Sequence, residues 1–93
     1  MPRAFMLPEH VDFENLMAVR ATGEEYIDQN DEPVFDLSAL ATSSSAVVAL
    51  LVGWFRYAHT HGKVVSFTKV PTGVMNIIEV SDLTDLLPIE ASA

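Results

Sequence analysis

Three apolar, strand-like runs alternate with three helix-like ones, and no other feature of the chain constrains its fold as tightly. The runs are "AFML" (residues 4–7, stopped by Pro8), "VFDLS" (residues 34–38) and "KVVSFTKV" (residues 63–70, alternating, with three valines). In the first intervening segment Asp12 can cap a helix, with Asn15 in place of the usual Glu or Gln of a capping box. Phe13, Leu16, Met17 and Ile27 then share one side at helical spacing. Gly23 lies on that side too, and close packing against a sheet would explain a residue costing about 1 kcal/mol relative to alanine. The turn cluster "DQNDEP" (residues 28–33) ends this helix. A second helix runs from Ser44 or Ser45 to about His61, closed by Gly62. A third starts at Pro71 and Thr72, presents Val74, Ile77, Ile78 and Val80, and breaks at Asp82, leaving a tail with Leu83, Leu86 and Leu87 before Pro88. Strands alternating with helices imply an α/β domain of β-α-β-α-β-α order, with a largely parallel sheet and right-handed crossovers.

Ninety-three residues make one domain, spanning residues 1–93. Thirteen acids against five bases give a net charge of −8, so a phosphate surface repels the chain. Nucleic acid and anionic lipid are thereby poor partners, and a basic protein is easier to accommodate. The absence of cysteine removes thiol catalysis and thiolate metal sites, and fits a reducing cytoplasm. The longest apolar run, residues 46–55, is about half of what a bilayer crossing needs, so no membrane insertion is expected. The start of the chain has too short an apolar core for a signal peptide.

The corner "ALATSSS" carries the chain from the second strand into the second helix. A helix start has free N–H groups and partial positive charge, so a serine there ordinarily caps, worth about 1 kcal/mol. The same amides would welcome a phosphoryl group. Nucleophilic chemistry needs a base within hydrogen-bond reach, and only His10, His59 and His61 are on offer. His59 and His61 lie at the far end of the same helix, about 20 Å away at 1.5 Å rise per residue. The helix itself has two faces. Val47, Leu51, Trp54 and Ala58, flanked by Val48, Leu50, Phe55 and Tyr57, are expected to cover the sheet. Ala49, Val52, Gly53, Arg56 and Thr60 lie opposite, small and apolar where a solvated helix would carry charge, and form with the serines a candidate docking surface.

The stretch "VFDLSALATSSSAVVALLVGWFRYAHTHGKVVSF", with "VPTGVMNIIEV", a terminal "LLP" and an opening "LPEHVDFENL", resembles the STAS domain, and most closely its MlaB-like branch. The resemblance implies a STAS-like sandwich: a mostly parallel or mixed sheet of about four strands with helices packed on it. It also implies a cytoplasmic, bacterial, non-catalytic module. MlaB-like subunits bind the ATPase of an ABC transporter that moves phospholipid and sustains outer-membrane lipid asymmetry. Anti-sigma-factor antagonists are the other branch, switched by phosphorylation. Ser45 falls on the Ser or Thr that this branch phosphorylates and that MlaB-like proteins place against their ATPase. Ser44 replaces the usual Asp of the phosphorylated branch, which weighs against kinase regulation here. Ala46 and Val47 make the corner more apolar. The partner-binding set is thus Ser44, Ser45, Ala49, Val52, Gly53 and Arg56, with Ser45 as the phosphoacceptor candidate. The resemblance extends to no amino-terminal hairpin strand of the kind larger STAS domains have, so one sheet edge is expected to be short, uncovered or paired with another chain, as in a homodimer.

No cofactor, metal site or catalytic set is expected. His59 and His61 are two apart, whereas paired helical ligands want i, i+4 spacing, and the glycines form no phosphate-cradling pattern. The acids of residues 12–32 read as a solvated surface. Met1, Met6, Met17 and Met75 read as core filling.

Overall fold

The computed structural model describes residues 4–89. The elements are β1 (Phe5–Met6), α1 (Leu16–Gln29), β2 (Val34–Asp36), α2 (Ser45–Thr60), β3 (Ser66–Thr68) and α3 (Thr72–Val80), in the order that the alternation implies. The sheet is parallel throughout, in the order β1-β2-β3. It has three strands where about four were expected. The chain beyond α3 meets the outer flank of β3 only as a single parallel bridge, Phe67 to Ile89. The Phe67 amide donates to the Pro88 carbonyl, and Pro88 has no N–H with which to extend the pairing back toward Val65.

The parallel register sets Phe5 beside Phe35 and Phe35 beside Phe67, three rings side by side on one face. Alternation places Leu7, Leu37 and Val65 on that same face, and all three are buried. Sequential strand order with right-handed crossovers sends α1 and α2 to one side of the sheet. There Trp54 of α2 stacks on Phe35 with ring centroids 4.2 Å apart and planes 15° from parallel. Val47, Leu51, Trp54 and Ala58 are all buried, the inward face expected of α2.

Local chemistry sets the helix ends. The Asp12 amide donates to Asn15 Oδ1 and the Asn15 amide to Asp12 Oδ1, a reciprocal box one turn ahead of α1. At the end of α2, Gly62 takes φ +71 while Lys63 N–H donates to Ala58 O and Gly62 N–H to His59 O, the two bonds of a Schellman motif. The end of α3 repeats it with Asp82 at φ +59, whose amide donates to Glu79 O while that of Leu83 donates to Ile78 O.

Several expected core residues face water instead. The side chain of Trp54 lies against the bare Cα of Gly23, so Gly23 makes room for a neighbouring helix and not for the sheet. That contact fixes the rotation of α1. Leu16, Val19, Gly23 and Ile27 turn inward, and Met17, about 120° from Gly23 at 100° per residue, turns out. Phe13 and Met17 are 80% and 69% exposed. Met6 is exposed on the uncovered sheet face and Met75 is half-buried, so the methionines fill little core; Met1 lies outside the described residues. On α3, Val74 and Ile78 are buried while Val80 is exposed. Among the described residues, no helix is long and apolar enough to cross a membrane, and no strand pairs with the outer edge of β1.

Candidate functional site

Loops from the carboxyl ends of all three strands converge beside the start of α2, where parallel sheets ordinarily place their sites. After β2 the chain is pinned twice: the Ser38 amide donates to Asp36 Oδ1 at 2.8 Å, and the Ala41 amide donates to the Glu9 carbonyl at 2.8 Å. Lys69, at φ +57 just past β3, brings its ammonium to 3.7 Å from Asp36. The Asp36 carboxyl is held below its ordinary value by the Ser38 hydroxyl foremost; the Ser38 amide and the Lys69 charge act in the same direction and partial burial opposes them. Ser43 packs on the bare backbone of Gly73 in the first turn of α3, where an added Cβ would come within 2.7 Å of the Ser43 Cβ.

Ser44 has the extended backbone of an N-cap, and its carbonyl accepts from the amides of Val47 and Val48. Its hydroxyl does not cap. Ser44 Oγ is enclosed and has no partner among the described residues, because the side chain turns inward, away from the first-turn amides. The capping expected of these serines is therefore not made. Ser45 opens α2 and is exposed, and the amides of Ser45 and Ala46 find no acceptor among the described residues.

Behind Ser45 runs a groove of about 780 Å³ along the outer face of α2, walled by Arg20 of α1 on one side and by Ile77, Ser81 and Leu83 on the other. Ser45, Ala49, Val52, Gly53 and Arg56 all line it. Ser44, the sixth residue of the expected docking set, does not. Part of the face is occupied from within the chain: the Arg20 guanidinium lies over Gly53, with Nε 3.6 Å from where a Cβ would stand. Ala49 and Arg56 remain exposed.

The far end of the groove is built of hydrogen bonds. Tyr57 donates its hydroxyl to the Asp28 carboxylate at 2.8 Å, which raises the phenol above its ordinary value of 10.0; partial burial and the charges of Asp28 and Glu24 add to this. The His61 ring stacks on Tyr57 at 4.2 Å, with Nδ1 2.8 Å from the Tyr57 carbonyl oxygen. His10 is near the serine corner in the chain, but its Nε2 sits 3.8 Å from Glu9, and no histidine bonds a serine hydroxyl among the described residues.

Sequence reasoning missed Arg20, Tyr57, His61, Ser81 and Leu83 as groove residues and assigned Ile77 to the core. The single helix wheel of α2 had no means of placing the flanking helices. Ser81 and Leu83 enter because the Schellman turn at Asp82 folds the chain back toward α2.

The family profile described as Mlab, STAS domain matches residues 5–88. No curated protein matches the chain. Among solved structures, the fold is similar to that of a candidate anti-sigma-factor antagonist from Thermotoga maritima, with TM-score 0.73 and 11% identity over 98% of this chain and 74% of that one. It is also similar to the anti-sigma-factor antagonist SpoIIAA in its unphosphorylated form, with TM-score 0.71 and 17% identity over 94% of this chain and 77% of that one. An anti-sigma-factor antagonist (STAS) domain protein from Planctomyces limnophilus gives TM-score 0.73 and 16% identity over 95% and 80%. At such identities the structural likenesses establish the fold, and the profile match over nearly the whole chain establishes the family. The chain belongs to the MlaB-type STAS domain family.

Proposed function

We propose that this chain is a non-catalytic, cytoplasmic MlaB-like accessory subunit that binds the ATPase of an ABC phospholipid-transport complex involved in outer-membrane lipid asymmetry. The observation that carries this reading is the open groove on the outer face of α2, in which Ser45, Ala49, Val52, Gly53 and Arg56 stand together. The same helix buries Val47, Leu51, Trp54 and Ala58 against the core, while Ser45, Ala49 and Arg56 on its outer face remain exposed to a partner. Binding acts on the ATPase by population: a subunit that prefers one ATPase arrangement shifts the equilibrium toward it by its differential affinity.

The test is co-purification with the ATPase of an ABC phospholipid transporter from the same cell. Ser45→Arg and Val52→Arg each place a long cation in the groove and abolish capture, while circular dichroism and the melting temperature stay close to those of the parent chain. Normal capture of both variants would show that the docking face is elsewhere.

A second reading, an anti-sigma-factor antagonist switched by phosphorylation at Ser45, is favoured by one observation. The Ser45 hydroxyl is exposed beside the free amides of Ser45 and Ala46, where a phosphoryl group adding about −1.5 to −2 charge would be stabilised. Incubation with a cognate anti-sigma kinase and intact-mass measurement decides it, and an unchanged mass rejects it.

A further inference from the structure

The described cations are disposed unevenly. Lys63 donates through Nζ to the carbonyls of Ile27 at 2.6 Å and Asp28 at 3.0 Å. Lys69 faces Asp36, and Arg20 pairs with Glu24 at 3.2 Å. Arg56 alone among the described lysines and arginines has a side chain with neither a hydrogen bond nor an ion pair, in a chain of net charge −8. It stands exposed in the groove, with the Arg20 guanidinium lying across the same face of α2 at Gly53. The groove's floor and walls between the two guanidiniums are apolar, built of Val48, Ala49, Val52 and Ile77. The groove therefore presents an apolar bed around one unpaired cation, Arg56, in a chain of net charge −8.

We propose that the partner element seated in this groove is an apolar helix face bearing a carboxylate that pairs with Arg56. The proposal rests on the docking reading above and gives that partner its chemistry. Small residues at 45, 49 and 53 recur every fourth position along α2, the spacing of one ridge, and they let a second helix approach closely. An arginine fork matches a carboxylate in two parallel hydrogen bonds, and the surrounding apolar contacts exclude water from the pair. The partner as a whole can still be basic, as the net charge favours, because at 0.1 M salt charges beyond about 10 Å are largely screened and the local pair decides.

The experiment measures affinity for the ATPase by titration calorimetry at about 50 mM and 500 mM NaCl, using the full chain and the variants Arg56→Lys, Arg56→Gln, Arg56→Glu and Val52→Arg. Arg56→Gln weakens binding about tenfold at low salt, Arg56→Glu weakens it further, and Arg56→Lys retains most of it. The ratio of Arg56→Gln to parent dissociation constants persists at about 500 mM NaCl, because a pair closed off from water is screened far less than exposed charges are. If Val52→Arg abolishes binding while Arg56→Glu binds like the parent or better, the carboxylate is overturned and the docking reading survives. If neither variant weakens binding, the docking reading falls as well. If the chain alone is a dimer by light scattering and Arg56→Glu makes it a monomer, the groove belongs to a second copy and the proposal is overturned.

Discussion

Trp54→Ala lowers the unfolding free energy by about 3–5 kcal/mol, the range for removing a fully buried large aromatic side chain. Trp54 is inaccessible to solvent, stacks on Phe35 at 4.2 Å, meets Phe5 edge-on at 5.7 Å, and donates its indole N–H to the Arg20 carbonyl at 3.1 Å. It thus joins the central strand, the edge strand and both long helices, and no neighbouring side chain can fill the space it leaves. A chain of this length is stable by roughly 5–14 kcal/mol in total, so the variant loses a large part of its margin. Urea titration followed by far-ultraviolet circular dichroism reads the loss as a lower midpoint. A loss below about 1 kcal/mol would mean that the stack on Phe35 is not a principal support of the core.

Gly23→Ala is the second large effect, and its sign is opposite to that of an ordinary helix substitution. In an exposed helix interior the change gains about 1 kcal/mol. Here the new methyl meets the Trp54 side chain at three ring atoms, and that ring is held from behind by Phe35. Overpacking costs typically 1–3 kcal/mol and more where neighbours cannot shift, so the net loss is about 2 kcal/mol. At 4–8 °C per kcal/mol for a domain of this size, the melting temperature falls by roughly 8–16 °C. The double variant Gly23→Ala with Trp54→Phe tests the cause, since phenylalanine removes indole atoms that the methyl would strike. The two losses should then fall short of adding, by on the order of 1 kcal/mol. Full additivity would place the cost of the methyl somewhere other than Trp54.

These two residues also show which parts of the structure could be read in advance. The inward face of α2 was legible because four residues at helical spacing are apolar and one is tryptophan. Gly62 likewise announced the end of α2. Gly23 was recognised as a packing glycine but assigned to the wrong neighbour. Its partner is 31 positions away, and nothing in local periodicity chooses between a strand and a helix across that gap. The outward turn of Met17 follows from the same unseen contact. The three strands were legible in the residues themselves, whereas the count of about four came from the family resemblance, and the tail adds only the single bridge of Ile89 among the described residues.

At the serine corner, residue type suggested a capping hydroxyl, yet side-chain rotation decides where the oxygen goes, and Ser44 turns inward. The groove was legible as one small-residue face of α2, and its walls were not. Arg20 crosses from α1 onto Gly53, and the left-handed turn at Asp82 returns Ser81 and Leu83 toward α2, both products of tertiary geometry.

The tail residue Ile89, bridged to Phe67, has a bearing on how these molecules meet one another. It screens one margin of the sheet, so intermolecular strand addition among the described residues is confined to Phe5 and Met6 on the opposite margin. Two residues offer few backbone pairings, each worth on the order of 1 kcal/mol net, too little to recruit copies one after another. Among the described residues, the folded sheet thus offers no margin long enough to carry strand addition from copy to copy.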